Sequence, residues 1–220
     1  ELAEHNVDSN HENKDFESFK LSMLGQMGID SPINEEDFVT GKADDLIYSI
    51  YSSSESNYRA KLDELATRAN PVIKRVYDDD SNDYKSILVP FTDGRKTIQV
   101  STDIEESVST EAKSVMKSLE KQVVLAVIDQ HWKDHLRSMD DLRSNVQHAR
   151  HEQKDPLLIY KFESYELFKK MVSKVNSEVA SFLMKCTIPT NPNEQKISQA
   201  RRVENSPHAN SSPLQIPPSS

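Results

Sequence analysis

From Thr102 to His148 the chain contains neither proline nor glycine, and its apolar residues recur every three or four positions. Val108, Ala112, Val115, Leu119, Val123, Ala126 and Val127 lead into Ile128, Trp132, Leu136, Met139, Leu142 and Val146. That period belongs to a helix with one face to bury. About 45 residues at a rise of 1.5 Å extend roughly 60–70 Å, which is long for a globular domain. The pattern stops at Gln147-His148-Ala149-Arg150-His151-Glu152-Gln153-Lys154. Asp155 then offers an N-cap and Pro156 a first-turn residue, so a second helix starts there. Its stripe is Leu158, Phe162, Tyr165, Phe168, Val172, Val175, Val179 and Phe182, again at threes and fours. Two long helices joined by a short loop form an αα-hairpin, paired over roughly 45 Å. A chain that spends so much of its length this way is mainly α.

The preceding part reads as a smaller helical unit. Residues 1–14 are polar and are expected to be a disordered lead. A helix is expected over about Asp15 to Met27, with Phe16, Phe19, Met23 and Met27 on one side and Gly28 as its stop. Ser31-Pro32 marks a turn, and Glu35-Glu36-Asp37 opens another short helix. A longer helical stretch runs from about Ala43 to Tyr77, with a kink or break expected at Asn70-Pro71. Its stripe is Ile47, Ile50, Tyr51, Tyr58, Leu62, Leu65, Ala69, Val72 and Val76. After the acidic loop at 78–83 the period becomes two. Ser86–Phe91 and Lys96–Val100 flank Asp93-Gly94, which predicts a β-hairpin, with Pro90 marking an edge or a bulge. Thr102-Asp103-Ile104-Glu105 fits a capping box for the long helix. Beyond Ile188 come six prolines among Ser, Asn and Gln, and residues 189–220 are expected to be a disordered tail. The domain organisation expected is therefore 1–14, 15–102, 103–188 and 189–220.

Composition narrows the function. One cysteine cannot build a disulfide framework or a multi-cysteine zinc site. The longest apolar run, Val123 to Ile128, is far shorter than the roughly twenty residues of a membrane helix. The four glycines have no phosphate-loop spacing, so no nucleotide-binding motif is present. A net charge of -9 argues against a nucleic-acid surface. His131 and His135 stand four apart on a helix, as two metal ligands would. Trp132, however, occupies the place of the catalytic Glu in H-E-x-x-H, and no third ligand is evident. Two polar positions beside a packed tryptophan is the simpler reading. Cys186 reads as a small core residue. The hairpin tip, by contrast, is polar and partly cationic at the end of a stiff lever. That arrangement suits contact with something outside the domain. A free-standing helical scaffold is the alternative.

Two segments carry a resemblance. Trp132-Lys133-Asp134-His135-Leu136-Arg137-Ser138-Met139-Asp140-Asp141-Leu142-Arg143 resembles the W-K/R-E/D-H-L-x-x-M-D-x-L-R segment of the SecA family of bacterial preprotein translocase motors. Gln153-Lys154-Asp155-Pro156-Leu157-Leu158-Ile159-Tyr160-Lys161-Phe162-Glu163 resembles the Q-K-D-P-x-x-x-Y-K-x-E that follows it in the family. Val89-Pro90-Phe91-Thr92-Asp93-Gly94 is similar to the Bacteroidetes type of that family.

The resemblance implies a helical wing domain over 15–102 and, over 103–188, the later helical scaffold ending in a two-helix finger. Residues 189–220 would be the C-terminal linker. Trp132, His135, Leu136, Met139, Asp140, Asp155, Pro156, Tyr160, Lys161 and Glu163 would be the structural signature of the hairpin. Ala149, Arg150, His151, Glu152, Gln153 and Lys154 would form the fingertip that meets the SecYEG channel and the unfolded preprotein. Further implied partners are the family's own motor domains, against which the hairpin region lies. Those domains would hold ATP and Mg. This chain is expected to need no cofactor and to hydrolyse nothing alone. The opening at Glu1 fits either a trimmed chain or an internal piece of a longer protein, cytoplasmic and peripheral to the inner membrane. His151 departs from the tyrosine of the best-known fingertips, and the family's Cys-rich zinc tail has no counterpart in this sequence.

Overall fold

A computed structural model describes residues 2–79, 85–148 and 155–189. The elements follow in chain order as α1 (Leu2–His11), α2 (Phe16–Met27), α3 (Glu35–Thr40), α4 (Ala43–Tyr77), β1 (Ser86–Thr92), β2 (Thr97–Asp103), α5 (Ile104–Ser109), α6 (Lys113–His148) and α7 (Pro156–Lys185). The fold is mainly α, with one antiparallel β-hairpin beside a long pair of helices. The expected fingertip, 149–154, lies outside the described residues, as does the tail from 190 onward.

Two apolar clusters organise the chain. The first gathers α1, α2, α3 and the start of α4 around Phe19, Phe38, Met23 and Ile50. Phe19 and Phe38 stack at 4.6 Å between ring centroids. The second gathers the end of α4, the β-hairpin, α5 and the first half of α6 around Leu65, Ile73, Phe91, Val100, Val115 and Leu119. This cluster runs without a break across the 102/103 position, because β2 leads directly into α5.

The lead is a correction. Residues 2–11 form a helix rather than a disordered arm. Ala3 and Val7 enter the first cluster, and Asn6, fully buried, is satisfied by side chains of α2. Its amide donates to Leu2 O at 2.8 Å and to Gln26 Oε1 at 3.2 Å, while its carbonyl oxygen accepts from the Ser22 hydroxyl. A polar sequence can thus dock a helix when its buried asparagine finds partners for its amide.

Three further differences concern helix boundaries. The 102–148 helix divides at Thr110–Ala112, where Glu111 and Ala112 take positive φ values of 52° and 65°. Neither residue is glycine, so periodicity alone does not mark the break; Ala112 is fully buried there. The N-cap of α5 is Asp103, whose carboxylate accepts from Glu106 N at 2.9 Å, and Thr102 stays in β2. Finally, α4 continues through Pro71 without a break, although Pro71 has no N–H to give to the carbonyl four residues back. Ala69 and Ile73, on either side of it, are packed in the second cluster, and that packing holds the helix together.

The strands pair from Ser86↔Asp103 to Thr92↔Thr97 without a bulge. Asp93 and Gly94 lie in the turn, and Gly94 takes φ +88°. Thr187, just past α7, pairs with the outer edge of β1 through Thr92, N–H to O at 2.9 and 2.7 Å. Alternate residues of a strand direct their N–H to one side, so the nitrogen of Pro90 shares the outer edge with Thr92. Its missing donor therefore costs the β1–β2 ladder nothing.

Candidate functional site

The two-helix hairpin is built by α6 and α7. The carboxylate of Asp155 caps α7 by accepting from Leu157 N at 2.9 Å, and Pro156 occupies the first turn. At its base the hairpin is locked into the second cluster. Val115, Leu119 and Val123 are fully buried, and Phe182 and Cys186 close the same core from α7. The thiol of Cys186 is pushed up to about 11 by burial and donates to Leu183 O at 3.3 Å. It is a packed core residue, with none of the thiolate character that makes a cysteine reactive.

Toward the tip the packing changes. The apolar stripe of α7 has its expected spacing, but it is not buried. Leu158, Phe162, Tyr165 and Phe168 are exposed, Phe162 to 65 %. On α6, Leu125, Ile128, Trp132 and Leu136 recur at three and four, so they share one face, and all are exposed, Trp132 to 45 %. The rings of Trp132 and His135 approach to 5.6 Å and those of His135 and Phe168 to 6.0 Å, which joins the two helices into one aromatic flank. Leu142 and Val146 are the exceptions, buried between the helices further along. Sequence period reports which residues avoid water, not whether their cover belongs to the same 220 residues. An exposed apolar flank of this extent is a candidate contact surface.

The signature residues fall on both sides of this flank. Trp132, His135, Leu136, Met139 and Asp140 lie on α6, and Tyr160, Lys161 and Glu163 on α7. Glu163 belongs to a separate groove between the helices, where Asp141, Glu166, Lys169, Lys170 and Lys174 surround Leu142 and Phe162. The hairpin thus carries both an aromatic cluster and a groove of mixed charge.

The pair His131 and His135 does not act together. Nε2 of His131 meets Glu178 Oε2 at 2.7 Å, while His135 turns to the aromatic flank. Among the described residues no three His, Cys, Asp or Glu side chains gather as metal ligands do. Glu178 also takes an ion pair from Lys96 in the β-turn. The Lys96 hydrogen bond, followed by that of His131, holds its carboxyl below the usual carboxylate range despite partial desolvation. Sequence reasoning missed this cluster because its members stand 47 and 82 residues apart, with no local spacing to reveal them.

A cleft of about 700 Å³ separates the two clusters, lined by Met27, Tyr51, Tyr58, Ile128, Val179 and Leu183 among others. Beside it the phenol of Tyr58 donates to Glu120 Oε1 at 2.9 Å, and Lys61 Nζ reaches Met184 O at 2.5 Å. Burial and the Glu120 carboxylate both push the Tyr58 phenol upward, so it stays protonated and donating. No helix among the described residues is long and apolar enough to cross a membrane.

A small helical domain with a β-hairpin, carrying a long two-helix arm with an exposed aromatic flank, has the architecture of a helical scaffold. The SecA Wing and Scaffold domain profile matches residues 1–187. The chain is 42 % identical over 217 residues to the protein translocase subunit SecA of Christiangramia forsetii, covering 99 % of this chain and 19 % of that protein. It is 43 % identical over 193 residues to the SecA of Bacteroides fragilis, covering 87 % and 17 %. It is 40 % identical over 200 residues to that of Porphyromonas gingivalis W83, covering 90 % and 18 %. No solved structure matches. The chain belongs to the SecA family, in its wing and scaffold region. It spans about one fifth of the length of these relatives.

Proposed function

We propose that this chain is the wing and scaffold portion of a protein-translocating ATPase, in which the helical hairpin transmits ATP-driven motion to a preprotein at the SecYEG channel. The observation that carries this reading is the near-complete match of residues 1–187 to the family's wing and scaffold region. The uncovered flank formed by Trp132, Leu136, Tyr165 and Phe168 supports it, because such a surface needs a cover. The motor domains of the full protein supply that cover and hold ATP and Mg, so this segment contributes no catalytic residue. The fingertip, Ala149 to Lys154, contacts the channel mouth and the moving chain. The whole acts in the cytoplasm, peripherally attached to the inner membrane.

The test is a chimera in which residues 1–187 replace the matching segment of Bacteroides fragilis SecA, assayed for preprotein import into SecYEG vesicles. The chimera is expected to translocate, and a version lacking 149–154 is expected to hydrolyse ATP without translocating. A deletion that translocates as well as the intact chimera would refute the fingertip role.

A further inference from the structure

The hairpin is tied to the small domain at several points of unequal strength. Closest to the base, Thr187 pairs with Thr92 through two backbone bonds, and Phe182 and Cys186 are buried. On α6, the Gln122 amide donates to Ser101 O at 2.8 Å and accepts from Ser101 N at 3.2 Å. Nearer the tip stands Glu178, which joins three elements. Its Oε1 takes Lys96 from the β-turn, and its Oε2 takes His131 from α6 at 2.7 Å. The Thr92–Thr187 tie is backbone and the Phe182 and Cys186 contacts are buried, whereas Gln122 and Glu178 hold through side chains, and that of Lys96 remains 54 % exposed.

The β-turn that presents Lys96 is itself rigid. Asp93 Oδ1 accepts from Arg95 N at 2.8 Å and from Lys96 N at 2.7 Å, and the Thr92 hydroxyl donates to Lys96 O at 2.9 Å. A fixed turn therefore holds out a cation to a carboxylate that both hairpin helices share. About 22 residues at 1.5 Å place the start of α7 roughly 33 Å beyond Glu178. Rotation by ten degrees about the base, roughly 45 Å from that end, would swing it by about 8 Å.

We propose that Glu178 is a positioning residue, a releasable lock through which the Lys96 turn sets the angle at which the hairpin leaves the wing. The backbone bridge at Thr92–Thr187 is the fixed pivot, and the half-exposed ion cluster is the part that opens. Glu178→Gln loosens two ties at once and Lys96→Met only one, so the first must have the larger effect.

The test places spin labels at Glu105→Cys and Lys161→Cys in the full-length protein, with its other cysteines replaced except the buried Cys186, and reads the distance distribution by pulsed dipolar spectroscopy. The released population should rise about twofold to fivefold in Lys96→Met, as exposed ion pairs imply. It should rise further in Glu178→Gln and return to the wild-type value in Lys96→Arg. One molar salt should release the wild type but leave Lys96→Met unchanged, since screening acts on a pair that Met lacks. Thermal melts confirm that each variant is folded. Identical distributions in wild type, Lys96→Met and Glu178→Gln would overturn the proposal, and so would a Lys96→Arg variant that behaves like Lys96→Met.

Discussion

Leucine-to-alanine changes at two points of α6 separate the part of the hairpin that holds this chain together from the part that faces away from it. Leu119 is fully buried in the second cluster, whereas Leu136, on the same helix, is 48 % exposed. Truncating a buried leucine removes its transfer energy and leaves a cavity, together about 3–5 kcal/mol. Truncating Leu136 removes half of a leucine's burial and leaves no enclosed void, which amounts to about 1 kcal/mol. For a chain of this size each kcal/mol shifts Tm by about 2–4 °C. Melting of the 220-residue chain followed by far-UV circular dichroism should therefore show a drop of about 6–20 °C for Leu119→Ala. For Leu136→Ala it should show a drop of about 2–4 °C. Under the proposed motor-domain cover of the full-length protein, the Leu136→Ala loss should grow toward about 2–3 kcal/mol while that of Leu119→Ala stays fixed. Equal losses in the isolated chain, or a Leu136→Ala loss that is unchanged in the full-length protein, would refute the reading of the flank as an interface.

Gly28 closes α2 at φ +68°, and a Cβ there would lie 2.8 Å from Lys185 Cγ at the end of α7. Gly28→Ala should cost about 1–2 kcal/mol by urea titration, from the left-handed backbone and the displaced lysine together. The Glu178 carboxyl is held down chiefly by Lys96 and then by His131, so its folded value lies below its ordinary value of 4.5. The stability it contributes is complete above that ordinary value and is lost as pH falls through the lower folded value. The difference in Tm between wild type and Glu178→Gln should accordingly shrink as pH falls from 5 to 3; a difference constant over that range would remove the ion cluster from the explanation.

Much of this fold was legible because local and global signals agree at particular residues. Asp15 and Gly28 bound α2, Asp93-Gly94 turns the hairpin, and Asp155-Pro156 starts α7 where the pattern requires. What was not legible depends on contacts distant in sequence. Residues 2–11 look too polar to fold, yet Asn6 is satisfied by Ser22 and Gln26, sixteen and twenty residues away. Glu111 and Ala112 break a helix in a left-handed conformation that neither residue type signals. Pro71 fails to break one because its neighbours are held in a core. At the candidate site, the motifs identified the hairpin and its stripe, but period could not distinguish an internal core from a surface awaiting a partner. The Lys96–Glu178–His131 cluster left no trace in spacing at all.

The central claim, that the end of this hairpin meets the translocating chain at the channel, is tested most directly by cross-linking from position 151. A photo-reactive residue replacing His151 in the full-length protein, engaged with SecYEG and a stalled preprotein, should form adducts with SecY and with the preprotein. The same probe at Glu105, beside the base of the hairpin, should form neither. An active translocase whose position 151 cross-links to neither would contradict the fingertip assignment.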